Sequence, residues 1–203
     1  YYQGALATLS NGDVILTGTF NSSITLGTQT LSSSGSFDSE GLLSRIDSSG
    51  NVVWAQTIGG LGQDYVRDVA VDLNNNIWIT GNVDGTATLD TFNFSGSNSG
   101  VFVARLDSAG DASYAYANGI SASNSGNGVA VDAFGNAYVV GSYFNSITFG
   151  SFTLTGLTTF TTKLYVAKYN ISTSSWEWAI GPNYAVGSSS TEDAKAIAVD
   201  EED

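Results

Sequence analysis

The chain contains no cysteine, no histidine and no methionine, and one proline in 203 residues. Without cysteine there are no disulfides, no thiolate chemistry and no zinc–sulfur site. Without histidine the commonest general base and the commonest metal ligand are missing, and no Ser-His-Asp triad can form from these residues. Cations are scarce as well: six Lys and Arg stand against nineteen Asp and Glu, a net charge of −13. Nucleic-acid binders neutralise phosphates with Lys and Arg, so nucleic acid is excluded as a direct partner. Anionic membrane surfaces are disfavoured for the same reason. No apolar run approaches the roughly 18 residues needed to span a bilayer, so no membrane insertion is expected. The acidity fits a surface exposed to salt, or distributed cation binding. No charged-then-apolar signal segment opens the chain, and Tyr1 falls inside a repeat. The chain therefore reads as processed, trimmed, or a segment of something longer.

What the chain has is repetition. Val69-Ala70-Val71-Asp72 returns as Val129-Ala130-Val131-Asp132 and again as Ile197-Ala198-Val199-Asp200. Asn74-Asn75-Asn76-Ile77-Trp78-Ile79-Thr80-Gly81 follows the first of these, and Phe134-Gly135-Asn136-Ala137-Tyr138-Val139-Val140-Gly141 follows the second. An earlier copy reads Asn11-Gly12-Asp13-Val14-Ile15-Leu16-Thr17-Gly18. A fixed period of this size marks supersecondary units stacked one on the next. The repeats run over residues 5–68, 69–128 and 129–196, with 197–203 as the first strand of a further unit.

Each unit reads as strands throughout. A short apolar run is followed by an Asp/Asn/Gly turn, which supplies the positive φ that hairpins need. An alternating strand comes next, then a hairpin signal such as Ile24-Thr25-Leu26-Gly27 before Gln29-Thr30-Leu31. Beyond a Gly/Ser-rich loop a third strand returns, as Leu42 to Asp47, Phe102 to Asp107 and Tyr165 to Asn170. A turn then leads to a strand carrying Trp54-Ala55, Tyr114-Ala115 or Trp178-Ala179. No stretch sustains a 3.6-residue period. The expected fold is all-β: a β-propeller of four-stranded antiparallel blades, about three in this chain and part of a larger propeller. A β-sandwich is the alternative. Propellers close with about four to eight blades, so the remaining blades lie outside these residues or neighbouring subunits complete the ring.

The pattern apolar-Ala-Val-Asp, then Gly/Asn-Asn, then Tyr/Trp-Val/Ile-Thr/Val-Gly, resembles the bacterial β-propeller repeats called SBBP. Those repeats continue to Phe-Val-Ala-Lys-Leu-Asp and an aromatic strand, as this chain does. The resemblance covers essentially the whole chain. It implies a module of large secreted or surface proteins of varied role, and its motifs specify fold better than function.

Several residues are candidates for chemistry. Asp72, Asp132 and Asp200 would form a ring of carboxylates near one propeller face. Asp72, Asn74 and Asn76 have the alternate spacing of oxygen ligands in a calcium loop, although the full Asp-x-Asp-x-Asp-Gly pattern with its Glu is missing. Otherwise each Asp caps its turn through backbone N–H groups. Arg45, Arg105 and Lys168 share one slot and should pair with carboxylates of the neighbouring blade or lay their stems over apolar surface. Trp54, Tyr114 and Trp178 share another and should fill space between blades. Trp176 and Tyr116 alternate with that slot, which makes them the candidates for an exposed binding contact. Glu192 and Asp193, with Asp64, offer carboxylates for glycoside hydrolysis. Gly59-Gly60-Leu61-Gly62 lacks the Lys-Ser/Thr of a phosphate loop. Sequons at Asn21, Asn93 and Asn170 matter only in a host that glycosylates.

The leading expectation is a non-catalytic extracellular or cell-surface module for binding, adhesion or structural assembly. It would act on a protein or carbohydrate and need no cofactor, with calcium at Asp72, Asn74 and Asn76 as the alternative. The alternatives are a carbohydrate-active hydrolase or lyase with carboxylates in the channel, and a subunit of a filament or large surface complex.

Overall fold

Turn chemistry sets the architecture. Five loops, Leu9 to Asp13, Asp47 to Asn51, Asp72 to Asn76, Asp107 to Asp111 and Asp132 to Asn136, share one hydrogen-bond pattern. The first residue's carbonyl accepts from the fourth residue, and its N–H donates to the carbonyl of the fifth. That pattern forces the fourth residue to positive φ, and Gly12, Gly50, Asn75, Gly110 and Gly135 supply it at 62–95°. Each loop reverses the chain so tightly that the flanking strands must pair antiparallel.

The computed structural model describes residues 4–35, 38–95, 100–118, 124–156, 161–182 and 191–200. They are all-β, with no helix among the described residues. The first unit comprises β1 (Leu6–Thr8), β2 (Val14–Asn21), β3 (Ser23–Leu26), β4 (Gln29–Ser32), β5 (Ser39–Ile46) and β6 (Val52–Leu61). The second comprises β7 (Tyr65–Val71), β8 (Ile77–Val83), β9 (Thr86–Leu89), β10 (Phe92–Ser95), β11 (Gly100–Leu106) and β12 (Ala112–Asn118). The third comprises β13 (Ser125–Val131), β14 (Ala137–Phe144), β15 (Ser146–Phe149), β16 (Phe152–Thr155), β17 (Thr162–Asn170) and β18 (Ser175–Ile180). In every unit the first, second, fifth and sixth strands pair in order as an antiparallel meander. The third and fourth form an inserted hairpin. In the second unit that hairpin also pairs with β6, which extends the first sheet to six strands.

Ser22, Gly85 and Asn145, all at positive φ, swing the chain from the second strand into the hairpin. The hairpins themselves close on two residues, beginning with Gly27, Asp90 and Gly150 at φ 51–59°.

The second sheet is buried on both faces. Val69, Ile77, Ile79, Phe102 and Leu106 pack toward Ile15, Leu43 and Ile58 of the first sheet. Trp78, Val101 and Val103, which alternate with them, pack toward Val129, Val139, Tyr165 and Ala167 of the third. The period of two along each strand thus sends successive side chains into two different cores.

Residues 191–200 belong to no strand, so Ile197 to Asp200 are not paired into a sheet. Residues 201–203 and Tyr1 lie outside the described residues.

Candidate functional site

The repeated first strands bring their ends together. Val71, Val131 and Val199 with Asp72, Asp132 and Asp200 surround a cavity of about 390 Å³, completed by Leu73 and Ala133. The repeated carboxylates therefore do converge. The side chains of Asp72 and Asp132 are nevertheless engaged in their turns. Asp72 Oδ1 accepts the N–H groups of Asn74 and Asn76, and its Oδ2 accepts the Asn76 side-chain amide at 2.7 Å. Asp132 repeats this with Phe134 and Asn136, and also accepts the Tyr138 hydroxyl. Asp47, Asp107 and Asn170 do the same work in other turns. The residues proposed for calcium are together, and the geometry they make is a capped turn.

Trp176 and Tyr116 also come together, though not at a surface. Trp176 is only 8% exposed, and the exposure expected for it does not hold. Its ring meets Tyr116 edge-on at 5.4 Å, Phe149 at 4.6 Å and Tyr169 at 5.5 Å. Tyr116 is half-buried, and its hydroxyl and the Asn118 amide both donate to the Thr148 carbonyl. Burial pushes the Tyr116 hydroxyl pKa up. The physical reason is a bulge in β18: Lys168 pairs with Trp178 and Tyr169 with Trp176, so the extra residue Glu177 turns Trp176 to the face opposite Trp178. That face is covered by the second sheet.

The recurrent cations follow only part of the expectation. Arg45 pairs with Asp13 of its own sheet at 2.6 Å, not with a carboxylate of the next. What it takes from the next sheet is a backbone oxygen, the Ser108 carbonyl at 2.7 Å, which Trp54 Nε1 also reaches at 3.1 Å. The Arg45 hydrogen bond holds the Asp13 carboxyl below the usual range. Lys168 pairs with Glu177 at 3.2 Å and lies over the Tyr138 ring. Arg105 Nη1 donates to Ser113.

The acidic residues proposed for hydrolysis do not form one group. Asp64 instead lies with Glu40 at the Gly59–Gly60 bend, where a Cβ on Gly59 would fall 1.8 Å from Glu40 and 2.9 Å from Asp64. Both carboxylates are buried. Burial raises the Asp64 pKa to about 7 against the N–H bonds from Asp84 and Gly60, with further help from the charges of Glu40 and Asp84. Glu40 also accepts the Ser34 N–H. In the third unit Lys163 occupies the place of Glu40 and pairs with Glu192 at 3.7 Å. Sequence reasoning missed Glu40. Counting back five residues from Arg45, Arg105 and Lys168 gives Glu40, Gly100 and Lys163, a signal present in the repeat alignment.

The chain matches no protein-family model, and a search of curated proteins finds no matching sequence.

Proposed function

We propose that the chain is a β-propeller segment of the SBBP-like kind that its repeats resemble, acting as a non-catalytic binding, adhesion or assembly module outside the cell. One observation carries this reading: equivalent residues of successive units surround a common cavity, while their repeated polar side chains serve turns and sheet contacts. Three four-stranded meanders in tandem, with the middle one buried on both faces, support the propeller over a two-layer sandwich. The partner is a protein or carbohydrate held at the unit-end surface.

A second reading, a carbohydrate-active hydrolase or lyase, draws on Glu40 and Asp64. A carboxyl raised to about 7 beside another carboxylate is the pattern of a general acid. Two measurements separate the readings. Small-angle scattering from a dilute solution should fit sheets fanned about an axis, whereas a flat two-layer envelope would remove the propeller. Polysaccharides and surface proteins offered to the chain should be retained without release of reducing ends. Release that disappears in Asp64→Asn would replace the binding module with the hydrolase.

A further inference from the structure

Each unit places one cation at the same point of its fifth strand, and two of the three cations have a carboxylate partner in their own unit. On β5, Arg45 takes a single oxygen into the notch between Nε and Nη2, Asp13 Oδ2, at 2.8 and 2.6 Å. Its Nη1 goes to a neutral oxygen, the Ser108 carbonyl at 2.7 Å. On β17, Lys168 pairs with Glu177 at 3.2 Å. Arg105 of β11 is the exception. Its Nη1 also donates to a neutral oxygen, Ser113 Oγ at 3.3 Å, but its Nε–H is buried and has no acceptor. It forms no ion pair with any carboxylate among the described residues.

Two substitutions between units account for this. Asp13 directly precedes β2, whereas the residue that precedes β8 is Asn76, and its amide donates to Asp72. Glu177 is the extra residue of the bulge in β18, whereas the extra residue of the bulge in β12 is Ser113. Both positions that give a carboxylate to the other two cations are therefore neutral in the middle unit. The carbonyl in the place of Ser108, that of Ile171, accepts the Ser174 N–H and hydroxyl instead. A second donor of the same junction shares the condition. Trp78 is the cross-strand partner of Arg105, with Cβ atoms about 5 Å apart. Its indole N–H is fully buried and has no acceptor. Ile15, its equivalent on the first sheet, brings no donor. A buried N–H without an acceptor is costly, and one on a charged group more so. Two in one row, one of them on a cation, call for an acceptor that carries negative charge.

We propose that the Nε/Nη2 notch of Arg105, beside Trp78, binds a small monovalent anion of halide size. The first unit supplies the stereochemistry, since one negatively charged atom in the notch of Arg45 serves both nitrogens. A monatomic ion asks for nothing more. A carboxylate or phosphate would bring further oxygens into a junction where the rings of Tyr114 and Tyr169 flank Trp78. Those rings also lower the local dielectric, which strengthens the attraction between the guanidinium and the ion. The site lies inside the junction of the second and third sheets and does not rest on the propeller reading.

Chloride is the probe. At fixed ionic strength, replacing gluconate by chloride should raise Tm along a saturating curve. Chloride at about nine times its Kd stabilises the folded chain tenfold, a rise of about 3–6 °C for a chain of this size. Arg105→Gln should flatten the curve. Ser113→Glu, at an exposed position, puts a carboxylate where Glu177 stands beside Lys168. That variant should melt higher than wild type in gluconate and lose the response to chloride. If Arg105→Gln does not fold, Ser113→Glu alone decides. A flat curve for wild type, or a response that the variants keep, would overturn the proposal. So would a stronger response to acetate than to chloride, which would give the notch to a carboxylate. Crystals grown in bromide should show an anomalous peak beside Arg105 Nε. A peak there without any effect on Tm would be an adventitious ion only, and would overturn the proposal as well.

Discussion

At the scale of single residues, the same few atoms recur in the same task. The Asp72 carboxylate takes two backbone N–H groups and one side-chain amide. Asp72→Ala strands those donors, which should cost about 1–3 kcal/mol. If the carboxylate serves the turn and not an ion, melts of wild type and variant should differ by the same amount in calcium and in a chelator. A gap that opens only with calcium would return the ion to the loop. Asp64 behaves differently, because burial raises its pKa from 3.8 to about 7. The folded chain then holds that proton more tightly than the unfolded chain does. Its contribution to stability is complete below pH 3.8 and is lost as the pH climbs to about 7. Asn124 bonds the Phe144 N–H as Asp64 bonds that of Asp84, so an amide fits the site. The melting temperature of wild type should therefore fall between pH 5 and pH 8 relative to that of Asp64→Asn. Parallel curves would show that Asp64 is ionised throughout.

At the scale of elements, repeated glycines have a cause that repetition alone does not state. The first strands of the second and third units carry bulges at Val66–Asp68 and Gly126–Gly128. Their carbonyls press on the next strand, so a Cβ on Gly81 or Gly141 would sit 1.8 Å from the oxygen of Tyr65 or Ser125. At Gly18 the nearest atom to such a Cβ is 3.9 Å away, on Leu42. Gly81→Ala should cost about 1–3 kcal/mol through overpacking, while Gly18→Ala should leave the denaturant midpoint nearly unchanged. Equal losses would mean that the motif glycine is needed for its backbone alone. Much of this level was legible in advance. The turn residues, the hairpins after Ile24 and Ile147, and the order of strands all follow from Gly, Asn and Asp placed between alternating runs. The pairing of β9 with β6 was not legible, because it joins two units through Gly60, whose missing Cβ lets the Thr86 carbonyl approach. Nor was the burial of Trp176. Alternation would put it on the face of Trp178, and the bulge at Glu177 that turns it to the other face leaves no mark in the sequence pattern.

At the scale of the whole molecule, the second sheet is the keystone, since both of its faces are core. Trp78 is fully buried between Tyr114 and Tyr169, with ring centroids at 6.1 and 5.7 Å. Trp78→Ala removes the largest side chain at that junction and should cost about 3–5 kcal/mol. Chemical denaturation should also remain a single transition in that variant, because the residue belongs to a core shared by two sheets. A separate early transition would show the third sheet melting on its own. Tyr138 takes the Trp78 position in the third sheet and is only half-buried, so Tyr138→Ala should cost distinctly less.

The placement of the basic residues has a consequence for proteolysis. Arg45, Arg67, Arg105, Lys163 and Lys168 all lie within strands, where a protease cannot draw the backbone into its cleft without opening a sheet. Lys195 lies in the unpaired segment and its side chain is 68% exposed. Trypsin should therefore act on the native chain as a single-cut reagent, trimming the peptide from Ala196 onward and sparing the sheets. Mass spectrometry of a short digest would show one truncated species, and the shorter chain would have lost Val199 and Asp200 from the cavity that Val71 and Val131 line.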